Sequence, residues 1–231
     1  MRGITTPVAG RLRWARRWAL AGLLVVLLGV LGFAILKPVK VLPRLGPAPV
    51  FRLVDAEGRA VTHEHLWGRP VLYSFLTTSP DDRVGSVMAR HLLALQDRLS
   101  QGSPDPPSPS PLLVTITVDP DRDTPERLKA WAERLGADPK RWILLTGAGL
   151  AVKLVVGTGF GVYYETPPRT YDSRYVLVDA AGEIRAVYRG PELDVATLMA
   201  DLDLLRREAA AQGAVRLAYA AAHWFACYPV R

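Results

Sequence analysis

The sequence predicts an α/β fold, a central mixed sheet flanked by helices, carried on one N-terminal transmembrane helix. Three observations predict it. Apolar strand-like runs (Pro70–Phe75, Leu112–Val118, Trp142–Thr146) alternate with amphipathic helical stretches. A terminal hairpin and helix close the alternation after residue 174. An uncharged run of nineteen residues, Trp18–Leu36, precedes all of this.

At about 1.5 Å per residue that run, as a helix, nearly crosses a hydrocarbon core of roughly 30 Å. A cleavable leader has a shorter apolar region and small residues at its cleavage site. Here Lys37-Pro38-Val39-Lys40 follows instead, so an uncleaved anchor is the reading favoured. Five arginines precede the run; Lys37, Lys40 and Arg44 follow it. The positive-inside rule then keeps residues 1–17 cytoplasmic and places the remainder in a periplasm-like space outside a bacterial-type inner membrane.

Basicity at the N-terminus also disposes of a nucleic-acid reading. Of 29 Lys and Arg, seven lie in the first 40 residues, which hold no acid. The 22 left match the 22 Asp and Glu, so the chain beyond residue 40 is formally neutral and has no basic surface to offer a polyanion. Cys227 is the sole cysteine, which excludes an internal disulfide.

The elements follow in order. Residues 37–49 carry Pro38, Pro43, Pro47 and Pro49 and read as a stiff spacer. Val50–Asp55 alternates and ends at Ala56-Glu57-Gly58, a strand and turn. His63 and His65 lie in a polar loop and read as solvated. After strand 70–76, Ser79 reads as an N-cap, with Pro80 at the first helical position, of a helix over 81–99. Its apolar side is Val84, Val87, Met88, His91, Leu92, Leu95 and Leu99. Residues 100–111, rich in Ser and Pro, read as a surface loop.

Beyond strand 112–118, Thr124 caps the next helix, Pro125 opens it, and Gly136 ends it. A further helix is expected from about Ala148 to Val156, then a Gly-rich and Pro-containing loop to Arg169. Arg174–Asp179 and Glu183–Tyr188 form the hairpin, and the last regular helix starts after Asp194. The domain is thus expected over 50–206, with an apolar extension over 207–231. In that extension Arg216, Ala220 and His223 share one helical face. Two readings stay open: a helix packed on its own domain, or one lying on the membrane or against a membrane complex. Trp224, Phe225 and Tyr228 are the expected partner contacts.

These residues together resemble the Sco/SenC family, membrane-anchored thioredoxin-fold proteins of cytochrome c oxidase assembly. The resemblance rests on Phe51–Asp55 with Gly58, Trp67-Gly-Arg-Pro70, Thr78 with Pro80 and Asp81, Val118-Asp-Pro-Asp-Arg-Asp-Thr-Pro125, Leu145-Thr-Gly147, and Tyr175–Asp179 with Gly182. It covers about residues 45–206 and implies a thioredoxin-like fold and a respiratory oxidase as partner. It also implies copper, held by a Cys-x-x-x-Cys pair and a distant histidine, ligands suited to that metal. In this chain the cysteine positions are Ser79 and Arg83, and the histidine position falls on Tyr171 or its neighbour Asp172. Ligands of that kind are therefore absent, and no copper or other cofactor is expected.

Other sites fail on chemistry. Ser79 has no adjacent His to activate it. Asp81, Asp82, Asp119, Asp121 and Asp123 read as helix-start acids and turn formers rather than a cation site. Thiol oxidoreductase or peroxidase activity requires a sulfur that the domain lacks. The expected function is a non-catalytic accessory or assembly protein of a respiratory oxidase. A stable structural subunit of a membrane respiratory complex is the alternative, with a thiol-independent metal chaperone as a further one.

Overall fold

The computed structural model describes residues 8–36, 40–100, 110–165 and 170–225. Tyr228 and Cys227 lie outside them, as do most of the Ser/Pro-rich loop and residues 166–169. Strands β1 (Gly46–Pro47), β2 (Arg52–Asp55), β3 (Ala60–Thr62), β4 (Val71–Leu76), β5 (Leu112–Thr117), β6 (Trp142–Thr146), β7 (Arg174–Val178) and β8 (Glu183–Arg189) build one sheet. Its order is β1-β8-β7-β4-β5-β6-β2-β3. Strands β4, β5 and β6 run parallel, and the remaining pairings are antiparallel. The mixed α/β architecture expected from the alternation is the one observed.

The helices are α1 (Val8–Leu36), α2 (Arg83–Ser100), α3 (Pro125–Leu135), α4 (Gly149–Val152), α5 (Val195–Ala210) and α6 (Gly213–Phe225). Period-two alternation in the central strands sends side chains to two cores. Leu72 and Leu76 of β4 meet Met88, Leu92 and Leu95 of α2 and Leu198 and Leu202 of α5. Val71, Tyr73 and Phe75 face the other way, onto Phe51, Val114, Ile116 and Phe160. Polar side chains inside the first core are paired: Ser74 and Thr115 share a hydrogen bond of 2.6 Å, and Trp142 Nε1 donates to Thr115 Oγ1 at 2.8 Å.

Several boundaries differ from expectation. The helix expected over 81–99 begins at Arg83. The helix expected to end at Val156 gives way after Val152 to a wider π-type turn over Lys153–Gly159. Gly159 ends that turn against Pro49; a Cβ there would stand 2.5 Å from Pro49 Cβ. His63–Leu66 is a short 3₁₀ turn in which His65 Nδ1 accepts from the Thr62 amide, rather than an open loop. Strand β3, just before it, was not legible as a strand.

The expected spacer is part of the domain from Val41 onward. Val41 and Leu42 are buried, β1 pairs with β8, and the Leu45 and Ala48 amides donate to Ile184 and Gly182 carbonyls. Arg185, 2% exposed, locks this stem in place. Its guanidinium donates to the carbonyls of Leu42 and Pro43 and to the carboxylates of Asp179 (2.8 Å) and Glu208 (2.6 Å). Glu208 Oε1 also lies 2.9 Å from His223 Nε2 of α6 and 3.5 Å from Arg44. Helix α6 of the C-terminal extension is therefore folded back: Ala222 is buried and His223 is tied to α5.

The apolar run Trp18–Leu36 falls within α1. Several side chains of that helix lie outside the described residues, and among the described residues no helix is long and apolar enough to cross a membrane.

The Arg185 cluster has a measurable consequence. Replacing Arg185 by Met removes the buried cation from two carboxylates and the donor from two carbonyls, and is expected to cost about 3–5 kcal/mol in denaturant unfolding. Burial by itself raises the Glu208 pKa, but the bonds and charges of Arg185 and His223 outweigh it and leave the pKa below its ordinary value of 4.5. The native state then binds fewer protons than the unfolded chain on the acid side. Stability from Glu208 is complete above pH 4.5 and drains as pH falls through the lowered pKa. An E208Q variant should show a flatter acid limb in its unfolding profile.

Candidate functional site

The site lies where β4 ends and α2 begins, beside the turn between β5 and α3. Its foundation is Asp123, fully buried. The Thr78 amide donates to Asp123 Oδ2 at 3.0 Å, and the Thr117 hydroxyl donates to the same oxygen at 2.5 Å. The Thr78 hydroxyl donates to Asp123 Oδ1. Arg127 Nε stands 3.8 Å from that oxygen and donates to Thr78 Oγ1 at 3.1 Å. A carboxylate taken out of water needs such partners to stay charged at low cost. The Asp-Pro-Asp-Arg-Asp-Thr-Pro string thus combines a loop anchor with a helix start. Thr124 caps α3 by accepting from the Arg127 amide, and Pro125 occupies the first position.

Asp119, in the same turn, is also buried, and its amide donates to Thr117 Oγ1. Burial first, and then the charge of Asp123, raise its carboxyl pKa. Asp119 and Asp123 serve the turn. Among the described residues no group of three or more His, Cys, Asp or Glu is placed to hold a metal ion.

Above this base the chain runs Ser79-Pro80-Asp81-Asp82-Arg83. The Ser79 amide donates to Thr77 Oγ1, and the Ser79 carbonyl accepts from the Asp82 amide. This makes a turn, not a cap. The cap is Asp82: its Oδ1 accepts from the Gly85 amide at 2.8 Å, in the third helical position. Ser79 is therefore not the N-cap that the sequence suggested. Asp81 and Arg83 are exposed.

The other oxygen of Asp82 receives a longer-range partner. Tyr171 donates its hydroxyl to Asp82 Oδ2 at 2.7 Å. Tyr171 is presented by a short pairing between residues 163–165 and 170–172. Tyr164 and Tyr171 form an antiparallel bridge, and the Asp172 amide donates to the Tyr163 carbonyl. Arg174, nearly buried, pairs with Asp172 at the base of this segment. Asp172 is thereby turned to Arg174, and Tyr171 to the β4–α2 loop. Asp82, whose amide donates to the Ser79 carbonyl and whose carboxylate accepts from the Tyr171 hydroxyl, thus joins the loop that carries Ser79 and Arg83 to Tyr171, 89 residues on from Asp82.

Burial, and then the hydrogen bond and charge of Asp82, push the Tyr171 pKa far above that of an ordinary phenol. The group is a neutral donor over the whole physiological range. Gly85 makes the arrangement possible. A Cβ there would lie 2.3 Å from Asp82 Oδ2 and 3.1 Å from the Tyr171 hydroxyl. Neither Gly85 nor the pairing of Asp82 with Tyr171 was foreseen. A glycine inside the helix expected over 81–99 was the one available signal.

Of the expected partner contacts, Trp224 and Phe225 fall in the last turn of α6, and Tyr228 lies outside the described residues.

Comparison with known proteins follows the same outline. A family model described as SCO1/SenC matches residues 46–205. Among solved structures, a SCO1/SenC family lipoprotein from Bacillus anthracis is similar with a TM-score of 0.62 and 22% identity, over 71% of this chain and 97% of that one. BsSco, described as a member of the Sco family of cytochrome c oxidase assembly proteins, aligns with a TM-score of 0.63 and 21% identity, over 72% of this chain and 98% of its own. Copper-bound ScoI from Arabidopsis thaliana aligns with a TM-score of 0.58 and 24% identity, over 69% and 98%. No curated protein matches the sequence significantly.

The Tyr171–Asp82 bond is open to direct test. Removing the hydroxyl in Y171F should cost about 1.5–3 kcal/mol, as expected for a bond to a charged acceptor. G85A should cost a comparable amount by displacing Asp82, without touching Tyr171 itself. In alkaline titration followed by tyrosinate absorbance, the native wild-type protein and Y171F should coincide through the ordinary phenol range, because Tyr171 does not ionise there.

Proposed function

The chain belongs to the SCO1/SenC family, and from that premise we propose that it is an accessory or assembly protein of a respiratory cytochrome c oxidase that acts through its surface and without copper. The observation that carries this reading is the hydrogen bond from the buried Tyr171 phenol to Asp82. In this reading Ser79, Arg83 and Tyr171 occupy the positions of the family's two cysteines and histidine. None of the three suits copper. A serine hydroxyl is a poor ligand at neutral pH, and arginine keeps a fixed positive charge that repels a cation. A phenol held protonated by burial and committed to a carboxylate offers no anionic oxygen. Where relatives would place a metal, this chain places a hydrogen bond.

The domain retains no cysteine, so thiol chemistry is not open to it either, and the reading is non-catalytic. Attachment to the membrane is part of the same proposal. The apolar residues Trp18, Leu20, Leu23, Leu24, Val25, Leu27 and Leu28 of α1 are all more than half exposed. An apolar run left exposed over Trp18–Leu28 suits lipid. The arginines before it then set the domain on the periplasmic side.

Two results test the proposal. Mild-detergent purification should recover oxidase subunits with this protein, and recovery of the protein alone would count against it. The triple replacement S79C, R83C and Y171H should create a site that binds one Cu(I). Failure of the folded variant to bind would show that these positions are not the equivalents of the ligands.

A further inference from the structure

The stem, Arg185 and α6 together form one end of the domain. Arg185 holds the carbonyls of Leu42 and Pro43, and the carboxylate of Glu208 joins Arg185, Arg44 and His223. The domain is therefore gripped at Val41–Arg44, and α6 is fixed beside that grip. Only five residue steps separate Val41 from Leu36, the last residue of α1. Fully extended they reach about 17 Å. If α1 is the anchor, the grip stands no more than about 17 Å from the hydrocarbon edge, against a headgroup layer about 5–8 Å deep.

The side of α6 turned away from the domain matches that position. Leu217, 72% exposed, stands there, and exposed Ala220 lies one turn on beside it. Exposed Arg216 lies at the edge of that side, whereas Val215 belongs to the opposite one. The helix contains no acidic residue. Lys40 and Arg44 are exposed on the stem, and Leu45 is 44% exposed next to them. An exposed leucine on α6, with exposed cations on the same helix and on the stem, fits a lipid interface. The inner side, with Ala222 and His223, is already committed to the domain.

We propose that α6 and the stem form a membrane-facing foot, with Leu217 in the lipid interface of the bilayer that holds α1. This inference rests on the anchored reading of α1. It also orients the candidate site. Val71 pairs with Val178 near the Asp179–Arg185 contact, whereas Ser74 pairs with Tyr175 toward the other end. Strand β4, six residues and about 20 Å long, separates the two ends. The foot thus holds the Asp82–Tyr171 loop away from the bilayer, facing a partner's extramembrane portion.

The test uses the full-length chain with Cys227→Ser, spin-labelled at Leu217→Cys or, as a control on the far end, at Tyr163→Cys, which is 67% exposed in the native protein. The protein is reconstituted in vesicles of phosphatidylethanolamine and phosphatidylglycerol. Power saturation compares access of oxygen, which concentrates in lipid, with access of a water-soluble nickel chelate. The oxygen-to-nickel ratio at 217 should exceed that at 163 several-fold. Equal ratios in protein that floats with the vesicles overturn the foot and leave the anchor standing. Exclusion of both agents at 217, with broadening that depends on protein density, assigns the face to a second copy and overturns the proposal as well. Protein that does not float with the vesicles removes the anchor and the foot together.

Discussion

Asp123 is the interaction on which the rest of the site depends. Its carboxylate is sealed from water and shared by an amide, two hydroxyls and a guanidinium. Through Thr78 it fixes the chain leaving β4, through Thr117 the end of β5, and through its own turn the start of α3. Two parallel strands end at one residue. Breaking any partner leaves a buried charge or a buried hydroxyl without a match, so the group acts as a unit. Because this base is rigid, Asp82 can be set where one oxygen caps α2 and the other meets Tyr171.

Under the proposed function, that second contact takes the place of the family's metal. A metal between distant segments ties them with strong, directional bonds. Here a phenol and a carboxylate connect the same kind of segments with one hydrogen bond, which needs no loading and no redox state. Gly85 is the local condition, since any side chain there would occupy the space of the Asp82 carboxylate. A domain so arranged is suited to present a shape to a partner. The exposed Asp81 and Arg83 beside the bond are the charges such a partner would meet.

Much of this was legible in the sequence, and the exceptions have physical reasons. Thr124-Pro125 and Asp194 behave as local rules say, because nothing distant competes with them. Ser79-Pro80-Asp81 satisfies the same rules and yet is a turn, because Tyr171 and the Gly85 amide together select Asp82 three residues on. The prolines of 37–49 suggest a spacer, and they are compatible with an edge strand because Pro47 has no amide to pair. What fastens that segment is Arg185, an arginine in an alternating strand whose burial no local pattern announces. The cores on both faces of the sheet were legible from periodicity. The clasp around Asp82 was not, because its members lie 89 residues apart and chemistry, not spacing, joins them.

Ser79, Arg83 and Tyr171 are proposed to leave this scaffold unable to hold the family's metal. Titration of the purified full-length protein with Cu(I), in competition with a chromophoric chelator, decides it. The chelator should keep all of its copper. Withdrawal of one equivalent by the wild-type protein, lost on replacement of Ser79 or Tyr171, would contradict it.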